Sequence, residues 1–304
     1  MTVFGRDEWK DFLLRLYAKV DSTDVFNRAA AVAFYFSFSL FPLLIFLLTL
    51  AGIVLESTDS LRRDLYRYLF QIMPPSAYTL VRNTVDEIIE SSSGGKLTIG
   101  IFVTLWSASA GVDTLRNSLN SIYETKESRS WWNTKFQSIV LTLLFIVLLT
   151  VAIIAVSTGW KMFEHMLELV NLKVDSPFLL LGIQWLMILA ILLFATEVIY
   201  NWLPCHRKFE WRWITPGSMV AIVLWLLLSG GFRLYLQFFN SYNKAYGSLG
   251  AVIILMLWMF LTGTAILLGG AINSVLSEMR HARREKEEAE SEMPQHPSDQ
   301  SVND

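Results

Sequence analysis

Cysteine is nearly absent from this chain, and charged residues are scarce and clustered. The single cysteine, Cys205, excludes an internal disulfide and suits a reducing compartment. Only 17% of the 304 residues are charged, whereas soluble domains carry roughly a quarter. Hydrophobic residues make up 53% of the chain and the mean hydropathy is +0.43. Long stretches without any charge are typical of a protein embedded in a bilayer.

Sequence motifs for metal, nucleotide and nucleic-acid chemistry are also missing. The four histidines stand apart in the sequence, and no HxHxD, HExxH or CxxC pattern occurs. No GxxxxGK[ST] loop is present to cradle a nucleotide phosphate. The net charge of −2 gives no basic field for RNA or DNA. We therefore predict no catalytic, cofactor-binding or metal-binding residues, no nucleic-acid partner, and neither nuclease activity nor nucleotide-driven transport.

Six long apolar segments predict an all-α bundle of about six transmembrane helices. Each is long enough to cross a hydrocarbon core of ~30 Å at ~1.5 Å per residue. Pro42 lies near the middle of the first segment and should kink it. The predicted spans are approximately residues 29–55, 97–120, 136–158, 178–203, 214–238 and 248–276.

The segments outside the spans are predicted to be amphipathic or disordered. Residues 1–28 contain an amphipathic helix, which lies either on the membrane surface or packed on the protein's own cytoplasmic face. Residues 56–96 are expected to form a loop with two short amphipathic helices. Residues 279–304 are charged and then polar, which predicts a disordered cytoplasmic tail.

Lysine and arginine predict the orientation of the bundle. With the N-terminus inside, 16 of these residues face the cytoplasm and 9 face the other side. Both termini are therefore expected in the cytoplasm.

Several polar residues should lie inside spans, close to the cytoplasmic face. Glu197 lies ~28 Å along its span, and a charge at such a position is a candidate functional residue because its burial is costly. Two interpretations remain open: structural contact between helices, or a polar vestibule that handles a solute. Asp113 and Arg116 can pair on one helix face, and Arg116 is also the partner expected for Glu197. The predicted cluster comprises Asp113, Arg116, Asn117, Glu197, Asn201 and Asn273.

A second motif, rich in aromatic and amide side chains, is predicted at the outer boundary. It is read either as an outer gate or headgroup contact, or as an aromatic belt followed by a tight turn. Its candidate residues are Arg233, Asn240, Tyr242, Asn243, Tyr246, Gly247 and Gly250.

Three motifs in the same order resemble those of one family. They are residues 28–35 followed by Leu40-Phe41-Pro42, residues 105–109 with 120–123, and residues 240–251. Together they resemble the YihY/virulence factor BrkB family of bacterial inner-membrane proteins, over roughly residues 10–278. The resemblance implies a six-helix bundle in the cytoplasmic membrane. It implies no established reaction, although the family was long labelled as a ribonuclease and members have been linked to serum resistance and lipid export. Ala271 stands where the family commonly carries a glutamate.

Two functional hypotheses follow from these patterns. The leading one is a passive or ion-coupled transporter for a lipid or other amphiphile, with the inner polar cluster meeting its headgroup. The alternative is a scaffold that binds envelope-assembly partners through small-residue helix faces. An ion channel would call for rings of charge, which the sequence does not offer. The expected partners are membrane lipids, with a homo-oligomer or an envelope protein left open.

Overall fold

The computed structural model of the protein describes residues 6–39, 67, 102–157, 177–205, 213–238 and 248–292. These ranges are built from helices and short turns and contain no strand, which confirms the prediction of an all-α protein. In chain order the helices are α1 (Arg6–Ser22), α2 (residues 25–39), α3 (residues 102–108), α4 (Ala110–Ile122), α5 (Trp131–Ser157), α6 (Pro177–Trp202), α7 (Pro216–Phe238) and α8 (Ser248–Glu292).

Four of these helices, α5 to α8, are long and apolar enough to cross a membrane. They correspond to the last four predicted spans, although α5 begins at Trp131, five residues before the predicted start. Much of the first predicted span, part of the second, and nearly all of the 56–96 loop lie outside the described residues. The count of six spans therefore stays a prediction.

Apolar side chains cover the outside of these helices, as expected for a protein surrounded by lipid. Leu186 on α6 and Leu227 on α7 are each more than two-thirds exposed. By contrast, serine, threonine, asparagine and glutamate side chains are buried between helices, where the protein itself satisfies their hydrogen bonds. In hydrocarbon this arrangement is favoured because no water is available to pair with polar groups.

The apolar core joins the N-terminal helices to the membrane helices. Val25 and Ala29 of α2, Leu119 of α4, Leu203 after α6 and Leu267 of α8 are all fully buried in one cluster. Because residues of α2, α4 and α8 share this cluster, it holds the three helices together close to the polar side chains described below.

Helices α7 and α8 cross so closely that only glycine fits at the contact. A Cβ atom at Gly217 would lie under 3.0 Å from the backbone oxygen of Gly269, and one at Gly269 would lie 2.8 Å from Ala221 Cβ. Two other glycines of α8 pack on different neighbours, Gly270 on Leu119 of α4 and Gly263 on α2. The small-residue face of α8 is thus used for contacts within this chain.

Helix α1 docks on the bundle along one side and leaves an apolar side open. Leu16 packs on the core, and the Lys19 ammonium lies 2.6 Å from a Glu124 oxygen and 2.7 Å from a Glu278 oxygen. Burial lowers the pKa of Lys19, but the hydrogen bonds to both carboxylates outweigh it, and the pKa is raised above its ordinary value. The helix therefore packs on the rest of the chain, and its contact with the membrane surface stays a prediction. The exposed apolar side comprises Trp9, Leu13, Leu14 and Tyr17.

The tail differs from its prediction, because α8 continues as one helix to Glu292. Residues 279–292 are therefore helical where the sequence predicted disorder. They consist mainly of alanine, arginine, lysine and glutamate, which are strong helix formers. Arg283 and Glu287, one helical turn apart, form an ion pair of 3.0 Å that adds a little stability. The remaining residues of the predicted tail lie outside the described part of the chain.

Candidate functional site

Glu197, the leading candidate from the sequence, is 1% exposed and lies at the junction of α6, α7 and α8. One carboxylate oxygen accepts hydrogen bonds from the backbone N–H of Thr215 (2.6 Å), the Thr215 hydroxyl (3.0 Å) and the Ser218 hydroxyl (2.5 Å). The other accepts one from the Asn201 amide at 3.0 Å. The carboxylate is therefore fully used by groups of this chain.

Asn273 extends this network from α8 to the first turn of α7. Its amide nitrogen donates to the Thr215 hydroxyl at 3.0 Å, and its amide oxygen accepts from the Gly217 N–H at 2.8 Å. The Thr215 hydroxyl also accepts from the Ser218 N–H at 3.3 Å. Pro216 has no N–H to satisfy. The first turn of α7 thus has its free backbone donors paired by side chains, as a helix end in an apolar environment requires.

The position of Glu197 explains how a carboxylate is held in the membrane without a cation beside it. The N-terminus of a helix carries a partial positive charge, and four hydrogen bonds from Thr215, Ser218 and Asn201 satisfy the carboxylate oxygens. Among the described residues no lysine or arginine forms an ion pair with Glu197. We call this group, Glu197, Asn201, Thr215, Ser218 and Asn273, the α7 cap cluster.

Asp113 and Arg116 form a separate group between α4 and α5. Arg116 Nη1 lies 3.1 Å from Asp113 Oδ1, so the predicted pairing on one helix face is present. Lys135 of α5 donates to Asp113 Oδ2 at 2.8 Å, and its ammonium lies 4.8 Å from the centre of the Trp106 ring. Arg116 also donates to the Ser138 hydroxyl and the Thr134 carbonyl, both at 2.8 Å. These bonds tie α4 to α5.

The structure corrects one predicted pairing and separates the predicted cluster into two groups. In the described part of the chain Arg116 pairs with acids of α4 and the α4–α5 loop, and not with Glu197. Glu197, Asn201 and Asn273 meet in the α7 cap cluster, whereas Asn117 is exposed on α4 and joins neither group. Ala271, where the family commonly has glutamate, is fully buried in the apolar core.

Side chains of α4, the α4–α5 loop and α5 pair with backbone groups at the end of α6. Arg129 donates to the Leu203 carbonyl at 3.1 Å, and Gln137 donates to the Trp202 carbonyl. The Asn120 amide oxygen accepts from the Cys205 N–H at 2.8 Å. These contacts link the α7 cap cluster to the group around Asp113 and Arg116. They also satisfy the last carbonyls of α6, because no further helical turn follows to donate hydrogen bonds to them.

Glu127, in the loop between α4 and α5, has a strongly lowered pKa of about 2. The main cause is its hydrogen bonding with the Arg129 guanidinium, at 2.7 Å for each of two N–O contacts. Asn120 adds a further hydrogen bond at 3.0 Å. The ionised Glu127 carboxylate therefore supports the contacts at the end of α6, because it orients Arg129 toward the Leu203 carbonyl.

The lowered pKa predicts acid sensitivity of the folded state. Because the folded pKa of Glu127 lies below its unfolded value of 4.5, its stabilisation is complete above pH 4.5 and is lost as the pH falls toward 2. For a partly solvated pair the effect should be about 1–2 kcal/mol. Thermal unfolding in detergent between pH 7 and 3 should show this loss, and Glu127→Gln should flatten the profile. An unchanged profile in the variant would contradict the assignment.

A cleft of about 670 Å³ opens beside these contacts, between α5 and the end of α6. Its apolar lining comes from Phe136, Val140 and Trp202, and Phe136 and Trp202 are exposed toward the surface. Its polar lining includes Asn133, Gln137 and Asn201, the last of which also belongs to the α7 cap cluster. The remaining lining residues are Ser128, Arg129, Pro204 and Cys205.

The predicted outer motif is described only at its ends. Arg233 lies near the end of α7, and Gly250 is buried in the first turn of α8. The middle of the motif lies outside the described residues: Asn240, Tyr242, Asn243, Tyr246 and Gly247. The choice between an outer gate or headgroup contact and an aromatic belt with a tight turn is therefore untested.

Sequence reasoning missed the residues that pair with the predicted ones. Thr215 could have been found from the sequence, because threonine directly before proline is a common start of a helix. Nothing in the sequence pointed to Lys135 and Gln137, since polar residues at the entrance of a span are equally expected to contact water. Across the described ranges, no three His, Cys, Asp or Glu side chains are gathered in a way that could hold a metal ion.

Comparison with known proteins places these features in one family. The chain is 32% identical over 269 residues to the "Putative ribonuclease-like protein YfkH" of Bacillus subtilis (strain 168), which covers 88% of this chain and 96% of that protein. It is 25% identical over 280 residues to a UPF0761 membrane protein of Xanthomonas campestris pv. campestris (strain B100), covering 91% of this chain and 61% of the relative. This chain thus spans about three-fifths of the length of that Xanthomonas protein.

No solved structure matches the chain. The family described as "Virulence factor BrkB" matches residues 16–294, which is most of the sequence and includes all of α2 to α8. This match agrees with the resemblance carried by the three sequence motifs and with the apolar helices α5 to α8. The chain is a membrane protein that belongs to the virulence factor BrkB family.

Proposed function

We propose that this protein is a transporter that binds a lipid or another amphiphile in the cytoplasmic membrane of a bacterium, with both of its termini in the cytoplasm. The observation that carries the proposal is the cleft between α5 and the end of α6. It presents an apolar wall at the protein surface and amide groups further in, which matches a molecule with an acyl chain and a polar headgroup.

The lining of the cleft favours a headgroup that forms hydrogen bonds rather than one that carries a strong charge. Arg129 is the one charged residue among the described residues of its lining, and Glu127 already neutralises it through two 2.7 Å contacts. The exposed Asn133 offers an amide donor and acceptor instead, whereas the Gln137 amide is already paired with the Trp202 carbonyl and the Arg129 guanidinium. Asn201 connects the cleft to Glu197 at 3.0 Å, so a ligand that displaces Asn201 would disturb the junction of α6, α7 and α8.

An enzymatic role is not part of this proposal, despite the ribonuclease-like name of the Bacillus relative. A phosphodiesterase that uses metal ions needs several carboxylates or histidines converging on the ions. Among the described residues, the acids Glu197 and Asp113, which are buried or half-buried between helices, are engaged separately by donors of this chain. A nuclease would also need a basic groove open to water.

Cys205 provides a direct test, because it lines the cleft and is the sole cysteine of the chain. A bulky maleimide attached to it should fill the space that the ligand needs. Native mass spectrometry in mild detergent would report the label and any retained amphiphile on the same molecule. We expect the labelled protein to retain about tenfold less of an amphiphile with an uncharged headgroup than the unlabelled protein.

Two controls separate occupation of the cleft from general damage. Cys205→Ser, exposed to the same reagent, should retain the amphiphile fully. A methyl-sized thiol reagent on Cys205 should reduce retention much less than the bulky one. Equal retention by bulky-labelled and unlabelled protein would overturn the cleft as the binding site.

The scaffold alternative is favoured by a different observation, the extension of α8. Residues 279–292 continue the helix beyond the membrane segment and are mostly exposed and charged, so a cytoplasmic partner could reach them. The small-residue face that the scaffold hypothesis first relied on is already packed against α2, α4 and α7. Truncation before Arg280 should abolish partner binding by a scaffold, and should leave transport unchanged if the cleft is the working site.

A further inference from the structure

A second groove, of about 570 Å³, lies between α7 and α8 at the end of the bundle opposite to the α7 cap cluster. Arg233 is 17 residues beyond Pro216, which places it ~26 Å along α7 and close to the far boundary of a ~30 Å hydrocarbon core. Ser229, Arg233 and Gln237 follow one another at intervals of four residues and line the same groove. Phe232, Leu236 and Trp258 complete the lining.

The charge of Arg233 is not balanced by either of the helices that form the groove. Arg233 is the one charged residue of α7, and α8 has no charged residue before Glu278. Among the residues that the structure describes, no carboxylate forms an ion pair with Arg233. A guanidinium with five donors and no acceptor at a membrane boundary calls for an anion from outside the helix pair.

We infer that this groove binds the phosphate headgroup of an amphiphile in the outer leaflet, with Arg233 as its anion-binding residue. Guanidinium and phosphate oxygens match in geometry and can form two parallel hydrogen bonds. Ser229 and Gln237 lie one turn to either side and can donate to the remaining oxygens. The apolar side chains of Phe232, Leu236 and Trp258 would then lie along the first part of an acyl chain.

This binding is independent of the cleft that carries the proposed function. That cleft lies near Thr215, at the start of α7, and its lining charge is neutralised by Glu127. The outer groove lies near the end of α7, and its arginine has no carboxylate partner among the residues that the structure describes. The two sites therefore differ both in position and in the headgroup they favour.

The test uses the full-length protein in mild detergent with a short-chain phosphatidic acid, followed by native mass spectrometry. A diacylglycerol with the same chains is the matched ligand without phosphate. We expect the wild type to retain the phosphatidic acid over the diacylglycerol, and Arg233→Gln to lower that retention about tenfold. Arg233→Lys should keep part of it, because it preserves the charge but not the planar fork. Arg284→Gln, on the exposed end of α8, is the matched control and should have no effect.

Equal retention of phosphatidic acid by wild type and Arg233→Gln would overturn the inference. Displacement of the lipid by inorganic phosphate alone, at millimolar concentration, would overturn the assignment of a membrane amphiphile in favour of a free anion. The bulky label on Cys205 should leave this binding unchanged. Loss of phosphatidic acid on Cys205 labelling would show that the binding belongs to the first cleft, and would equally overturn the inference.

Discussion

Replacing Glu197 with alanine should lower the melting temperature of the purified protein by about 10 °C, corresponding to about 3–5 kcal/mol. The reason is that Thr215, Ser218 and Asn201 donate four hydrogen bonds to this carboxylate, and all of these donors are buried. Without the acceptor the Thr215 donors remain unpaired where no water can reach them, and Ser218 and Asn201 keep only their bonds to the backbone oxygens of Thr215 and residue 197. Thermal unfolding in detergent, followed by intrinsic tryptophan fluorescence, would measure the loss.

Glu197→Gln separates the effect of losing the hydrogen-bond acceptor from the effect of losing the negative charge. Glutamine keeps one oxygen for Thr215 and Ser218, but places an amide opposite the Asn201 amide and loses the favourable interaction with the start of α7. It should lose about half as much stability as the alanine variant. Glu285→Ala, on the exposed extension of α8, should change nothing. A Glu197→Ala protein as stable as the wild type would contradict the role assigned to the α7 cap cluster.

Gly269→Ala should be similarly damaging, because the added methyl group has no room at the crossing of α7 and α8. Its Cβ would meet the Gly217 carbonyl and Tyr200 hydroxyl oxygens, both under 3.0 Å away, and Ala221 Cβ at 2.8 Å. The helices would have to separate, which would also pull Asn273 away from Gly217. Overpacking of this kind costs about 1–3 kcal/mol, and the lost hydrogen bonds add about 1 kcal/mol or more.

Gly230→Ala is the matched control on the same helix pair. No atom lies within 4 Å of a Cβ built at Gly230, so the methyl group would point into lipid. Since alanine is a better helix former than glycine by about 1 kcal/mol, this variant should be as stable as the wild type or slightly more so. Equal effects of the two substitutions would show that the α7–α8 crossing is not as close as the structure places it.

The positions of the membrane helices could be read from the sequence because charge is excluded from the bilayer. The predicted fourth and fifth spans agree with α6 and α7 to within two residues at each end. The start of α5 was set too late, since Lys135 and Gln137 look like interfacial residues although they face α4 and α6 within the protein. The charge density of residues 279–292 predicts disorder, but the strong helix formers among them sustain α8 to Glu292.

The sequence predicts how deep each polar residue lies along its helix, but not the direction in which its side chain points. Residue counting placed Arg116 and Glu197 at similar depth, which was sufficient to suggest a pair. It could not give the rotation of each helix about its axis, which turns Arg116 toward α5 and Glu197 toward the first turn of α7. For the same reason Asn117, next to Arg116, was grouped with buried residues although it is exposed.

The sequence also could not distinguish a polar vestibule from structural contacts. The structure shows that each carboxylate oxygen of Glu197 is paired within the chain, so a ligand would enter through the neighbouring cleft rather than at Glu197 itself. A polar vestibule differs from structural contacts in that its side chains line open space. Which side chains line the cleft is determined by the packing of α5 against α6.

Translocation of a labelled amphiphile with an uncharged, hydrogen-bonding headgroup, such as a glycosyl diacylglycerol, in proteoliposomes tests the proposed transport most directly. The measurement compares wild type, wild type with the bulky label on Cys205, and Cys205→Ser treated with the same reagent. The account predicts lipid movement by the wild type and by treated Cys205→Ser, and movement no faster than in protein-free liposomes for the labelled wild type. Movement by the labelled protein at the wild-type rate, or no movement by any of the three proteins, would contradict it.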